Sequence, residues 1–166
     1  MRVRPHHLLS LILIVLAGCG GAHKSVKKTA SDPRWVPIDS LAAIGQYASA
    51  LEKVVELRDA AAASGDQHTE FSAWMRWSRY ERTVGTEPVD ILREIGTRAE
   101  SAPVPLAQLL HSARAEGWWN HYASERWSIL ERTELGGPGG DDPATWTQQR
   151  FMAEIIAAYE ASLAHA

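Results

Sequence analysis

Apolar residues return at helical intervals along most of this 166-residue chain. Tyr47, Leu51, Val54, Val55 and Ala62 fall on one face, while Glu52, Lys53, Glu56 and Asp59 lie mainly off it, so residues 47–63 read as an amphipathic helix. Ahead of it, Trp35-Val36-Pro37-Ile38-Asp39-Ser40-Leu41 opens a shorter helix, with Pro37 in the first turn and Asp39 or Ser40 as its cap. Ser64-Gly65-Asp66 ends the 47–63 helix and caps a third over 67–82, whose stripe is Phe71, Trp74, Met75 and Ser78, with Trp77 and Tyr80 beside it. Gly85-Thr86-Glu87-Pro88 is a stop followed by a start, with Thr86 or Glu87 as cap, and a helix over 88–100 then presents Val89, Leu92, Ile95 and Gly96. Pro103 and Pro105 separate it from a fifth, where Leu106, Leu109, Leu110, Ala113 and Gly117 recur at i, i+3, i+4, i+7 and i+11. Ala113 and Gly117 leave a shallow groove there for a neighbouring helix. In the last helix Asp142 is the expected cap, Pro143 the first residue, and Met152, Ile155, Ile156, Tyr159 and Leu163 the inner face. Helical periods dominate and the breaks are helix breaks, so the expected fold is all-α, a stack of antiparallel helix pairs.

The pattern fails at the start of the chain, and the failure is informative. Arg2 and Arg4 precede an apolar run over 8–16 that is too short to span a bilayer and suits a signal peptide. The run ends in Leu16-Ala17-Gly18-Cys19, which looks like a bacterial lipobox. Cleavage between Gly18 and Cys19 leaves the Cys19 thiol to take a diacylglyceryl group, and several acyl chains on one residue anchor stably. The competing reading is an uncleaved anchor with an incidental cysteine. Cys19 is the only cysteine, so no intrachain disulfide forms. Residues 20–34 hold glycines, three lysines and small polar residues, a flexible tether between lipid and fold. Lys24, Lys27 and Lys28 either meet anionic headgroups, at about 1 kcal/mol each, or are simply solvated. The expected organisation is therefore a signal peptide over 1–18, a lipidated tether over 19–34 and a helical domain over 35–166. The expected location is the periplasm-facing cell envelope. Gly20 after the modified cysteine is not the aspartate that retains some lipoproteins at the inner membrane, which points to the outer one.

Composition narrows the function classes. Net charge is −3, and without residues 1–18, which carry Arg2 and Arg4 and no acid, 15 basic groups face 20 acidic ones, net −5. An acidic domain has no electrostatic footprint for nucleic acid. Gly136-Gly137-Pro138-Gly139-Gly140 lacks the Gly-Lys-Ser/Thr that a phosphate loop needs. His68-x-Glu70 has no later cysteine pair to complete a deaminase zinc motif, and His111 and His121 have no third ligand near in sequence. Asn120 and His121 sit among aromatics and form either a polar pocket or a satisfied helix-end pair. No catalytic, cofactor or metal residue is expected, and the chain reads as no enzyme. The expected partners are the membrane, through Cys19, and a protein.

Three of the seven tryptophans cluster in Gly117-Trp118-Trp119-Asn120-His121-Tyr122 and Arg126-Trp127-Ser128-Ile129-Leu130-Glu131-Arg132-Thr133, followed after a glycine-rich turn by Asp141-Asp142-Pro143-Ala144-Thr145-Trp146. Aromatic rings bury large areas, so this stretch is the expected packing hub, with Trp119, Trp127 and Trp146 among the most buried rings. Trp127 and Ile129 alternate with Ser128, which suggests an extended strap pressing both apolar side chains inward. Paired aromatics, an Arg-Trp-x-Ile-x-x-Arg-Thr run and Asp-Asp-x-x-Thr-Trp together resemble the N-terminal helical region of large bacterial alpha-2-macroglobulin-like envelope proteins. The resemblance covers roughly residues 35–163. In addition, Gly45-x-Tyr47-x-x-Ala50-Leu51 resembles the start of a tetratricopeptide helix. The first resemblance implies a non-catalytic, lipid-anchored scaffold or interaction module of a protease-trap protein, with macroglobulin-type domains of the same or a neighbouring chain as partner. The second implies tetratricopeptide-like helix pairs. The family's thioester motif, Cys-x-x-Gln, is not found, since Cys19 belongs to the lipobox, so no inhibitory residue carries over. The alternative is a stand-alone helical-repeat lipoprotein acting as an envelope assembly adaptor.

Overall fold

A computed structural model describes residues 32–134 and 142–164. Over these residues the chain is all-α, and no strand occurs among them. The helices are α1 (Val36–Ala43), α2 (Tyr47–Ser64), α3 (Gln67–Val84), α4 (Pro88–Ser101), α5 (Leu106–Ser124), α6 (Arg126–Glu134) and α7 (Gln148–Leu163). Short 3-10 turns precede α1 (Pro33–Trp35) and α7 (Pro143–Thr145). The expected signal peptide and most of the expected tether lie outside the described residues.

The breaks expected from sequence form where chain chemistry places them. Gly65 and Gly85 end α2 and α3 with φ of 73° and 102°, a left-handed conformation that glycine enters without steric cost. Asp66 caps α3 by accepting from the Thr69 amide at 3.0 Å. Asp32–Arg34, assigned from composition to the tether, are instead fastened to the fold. Asp32 caps the first 3-10 turn through the Arg34 amide, and the Arg34 guanidinium donates to Asp66 at 3.1 Å and to the Thr69 hydroxyl at 2.9 Å. Hydrogen bonds from Thr69 first, then from Arg34, hold the Asp66 carboxyl down to about 2.

Side chains pack in two clusters that share α4 and α5. The first joins Trp35, Ile38, Val54, Trp74, Trp77 and Tyr80 to Ile91, Ile95, Leu106 and Leu110. The second joins Leu92, Trp118, Tyr122, Ile129, Trp146, Phe151 and Ile155. Between α3 and α4 the Glu70 carboxylate, buried with a side chain 3% exposed, takes two bonds from Arg98 at 2.6 and 3.1 Å. The groove expected at Gly117 is real. A Cβ on Gly117 would stand 2.2 Å from Leu92 Cδ2, so α4 approaches α5 where α5 has no side chain. About one turn of helix away, the Arg114 side chain lies over Gly96, where a Cβ would meet its Nε at 3.0 Å.

Several expected faces are rotated or shifted. On α3 the fully buried residues are Thr69, Glu70, Ala73, Trp74, Trp77 and Tyr80, while Phe71, Met75 and Ser78 are half-buried. On α5 Leu109 is exposed, although its spacing fits the apolar face. Asp142 and Pro143 open the 3-10 turn, with Asp142 accepting from the Ala144 amide, and α7 begins three residues after that turn, capped by Thr147. Residues 126–134 are helical, not an extended strap.

Candidate interaction surface

The expected hub exists, but different rings fill it. Trp118 is 3% exposed and its ring centroid lies 5.0 Å from that of Trp146, with the Phe151 ring 5.2 Å from Trp146. Tilted and edge-on pairs at this spacing are the arrangement that ring quadrupoles favour. Of the three rings expected inside, Trp146 is buried, whereas Trp119 is 49% and Trp127 77% exposed. Residues two apart share a side only in an extended segment. On helix α6 Trp127 and Ile129 are roughly 200° apart, so burying Ile129 turns Trp127 outward, where Arg126 lies 5.8 Å from its ring. Trp118 and Trp119 are adjacent on α5, roughly 100° apart, and only the first meets α7's Phe151.

Trp119 belongs to a wider face. The Gln108 amide donates to the Ala164 carbonyl at 2.7 Å, so the start of α5 lies beside the end of α7 and the two helices run antiparallel. Trp119 follows Gln108 by about three turns and projects on the same side of α5. That side is roughly half a turn from Gly117 and Gln108's side therefore points away from α4. On α7, Glu154 turns the other way, toward Arg114 and Arg150. Ile156, Tyr159 and Leu163 lie roughly 140–200° round the helix from Glu154, and all three are exposed, Ile156 by 56% and Leu163 by 68%. These were expected on the inner face with Met152 and Ile155. Only Phe151, Ile155 and Ala158 are fully buried on α7, because α5 and α6 cover that side of it and no described helix covers the other. The outward face of the α5–α7 pair thus carries Trp119, Ile156, Tyr159 and Leu163. Apolar side chains grouped on one face mark contact surfaces, where singly scattered ones do not.

Asn120 and His121 do share a groove, of about 220 Å³, with Arg82, Pro88, Leu92 and Ser124. The His121 ring also packs 5.8 Å from Phe151, and burial pushes its pKa below the ordinary 6.5. Glu70 is committed to Arg98, and His68, roughly 200° round α3 from it, is exposed. No group of three His, Cys, Asp or Glu residues that could hold a metal ion occurs among the described residues. No helix among them is long and apolar enough to cross a membrane. Gly18 and Cys19, the expected cleavage and lipid-attachment residues, lie outside the described residues. Sequence reasoning missed the outward face because its spacing is that of any amphipathic helix. No protein-family profile, curated protein or solved structure matches the chain.

Proposed function

We propose that this chain is a lipid-anchored docking module, non-catalytic in itself, of a bacterial alpha-2-macroglobulin-like envelope protein. Cys19 carries the lipid, the tether spaces the domain from the membrane, and the helical domain presents a contact surface to a protein partner on the periplasmic side. The observation that carries the docking role is the outward apolar face of α5 and α7, with Trp119, Ile156, Tyr159 and Leu163 exposed together. Tryptophan and tyrosine, which Trp119 and Tyr159 supply here, are enriched among the side chains that dominate binding energy at protein interfaces.

The family part of the reading rests on the resemblance, and the fold gives those residues a coherent task. Trp118, Ile129 and Trp146 sit in one cluster, Arg132 donates to the Ala144 carbonyl, and Asp142 caps the turn before α7. They fix the geometry of the helix pair that bears the exposed face. Macroglobulin-type sandwich domains of the same or a neighbouring chain are the proposed partner.

Two measurements test this. Cells labelled with a palmitate analogue should incorporate label into the wild-type chain and not into Cys19→Ala, which should retain its signal segment. Equal label in both would sink the anchor. Purified chain should bind purified macroglobulin-type domains from the same envelope, and Ile156→Asp should abolish binding while leaving the helical circular dichroism unchanged. Binding that survives this change would refute the α5–α7 face as the docking surface.

A further inference from the structure

The charges around the outward face indicate what covers it. Between Gln108 and Ala123 the outward side of α5 bears one charge, Glu116, roughly 60° round the helix from Trp119. On α7 the corresponding charge is Glu160, one turn beyond Ile156. Both carboxylates are exposed and neither has an ion-pair partner among the described residues. The nearest basic groups on these two helices, Arg114 and Arg150, lie on the opposite flank and face Glu154 at 3.8 and 2.8 Å. The face is therefore an apolar stripe with an uncompensated acidic rim.

Its shape is linear. Ile156, Tyr159 and Leu163 follow one another at i, i+3 and i+7, the spacing of a helix seam, over about 10 Å. Ala153 and Ala157, one turn apart and both exposed, sit beside Ile156 and leave room for another backbone to settle against α7. Helix α5 is already sandwiched between α4 and α7, which is how stacked helix pairs cover their faces; α7 packs on α5 and α6 through its Phe151 and Ile155 side, and its Ile156, Tyr159 and Leu163 side stays uncovered.

We propose that the outward face of α5 and α7 takes an amphipathic helix whose apolar stripe is bordered by lysine or arginine, laid along α7. The proposal rests on the docking reading above and names its partner's chemistry. An apolar seam supplies affinity, and the acidic rim selects the partner by charge. The same rim disfavours two other occupants. A second copy of this chain, related by a two-fold axis, would bring Glu116 and Glu160 toward their own kind. An anionic lipid surface would meet the same repulsion, although the chain is tethered near one.

The test uses the mature chain, residues 19–166, made without the apolar leader and with Cys19→Ala, so that no detergent is needed, and two synthetic helical peptides. Both carry the same leucine and isoleucine stripe; one is flanked by lysines and the other by glutamates. The lysine-flanked peptide should bind at least about tenfold more tightly than the glutamate-flanked one, with the difference shrinking as salt rises. Ile156→Asp should remove binding of both, with an unchanged thermal midpoint, and Glu116→Lys with Glu160→Lys should invert the preference. Equal affinities, or no binding of either peptide, would overturn the proposal. So would self-association of the peptide-free chain that Ile156→Asp abolishes, or binding to phosphatidylglycerol vesicles through this face. If macroglobulin-type domains bind in an Ile156-dependent way and the lysine-flanked peptide does not compete, the helix assignment fails and the docking reading survives. If those domains do not bind either, both fail.

Discussion

At the scale of single residues, burial separates side chains of one type into opposite roles. Trp118 packs against Trp146 and Phe151 while Trp127 stands almost free on α6. Trp118→Ala should therefore cost about 3–5 kcal/mol, the usual loss for a buried large ring. Trp127→Ala should change stability by no more than about 0.5 kcal/mol. Urea midpoints of the two variants check this, and a large loss for Trp127→Ala would mean that α6 buries it. His121 gives a prediction in pH. Burial opposes its charged form, with Arg132 adding to the depression and Glu125 and Glu87 working against it. A histidine whose folded pKa is depressed contributes stability that is fully present above the ordinary value of 6.5 and lost as pH falls through the folded pKa. The thermal midpoint should fall from about pH 8 to about pH 5, and His121→Phe, which keeps a ring beside Phe151, should make that fall smaller. His111, depressed by burial in the same direction, accounts for part of what remains.

At the scale of elements, the α4–α5 contact depends on one missing side chain. Leu92 is buried and fills the space that Gly117 leaves open. Gly117→Ala should force Leu92 out of its rotamer within the second cluster and cost about 1–3 kcal/mol, even though alanine favours a helix by about 1 kcal/mol over glycine. Truncating the obstructing side chain should relieve the clash. In a double-mutant cycle, Gly117→Ala should be close to neutral or stabilising on a Leu92→Ala background. Additive losses would show that Leu92 and Gly117 do not meet. The same reasoning locates α6. Its Ile129 is buried in the second cluster and Arg132 ties it to the turn before α7, so a short helix with few inward side chains is held at its middle and toward its C-terminal end.

At the scale of the whole molecule, the two clusters are not independent units. Helix α4 gives Ile91 and Ile95 to one and Leu92 to the other, and α5 gives Leu106 and Leu110 to one and Trp118 and Tyr122 to the other. Losing either cluster strips one side of both helices. The described residues should therefore unfold in one cooperative transition, with far-ultraviolet circular dichroism and tryptophan fluorescence changing at the same denaturant concentration. Two separated midpoints would show that the clusters fold apart. The anchoring and docking proposed here leave this cooperativity untouched, since Cys19 precedes the described residues and the contact face is already exposed.

The sequence by itself determined the helical class and most of the breaks between helices. Those depend on local chemistry: glycine's access to positive φ at Gly65 and Gly85, the cap at Asp66, and apolar recurrence near 3.6 residues. It also marked Gly117 as a site of close approach, because a glycine inside an apolar helical face has few other uses. What it left open was which side of each helix faces inward. Spacing fixes a stripe on a helix, but the stripe is buried only if another element lies against it. Leu109, Ile156, Tyr159 and Leu163 satisfy the period and remain exposed, since no described helix covers them. Trp127 and Ile129 were placed on one side by reading an extended segment where the chain makes a helix. Tertiary packing alone decided that Trp118 fills the hub while Trp119 does not, since adjacent residues on α5 differ only in which neighbour they meet.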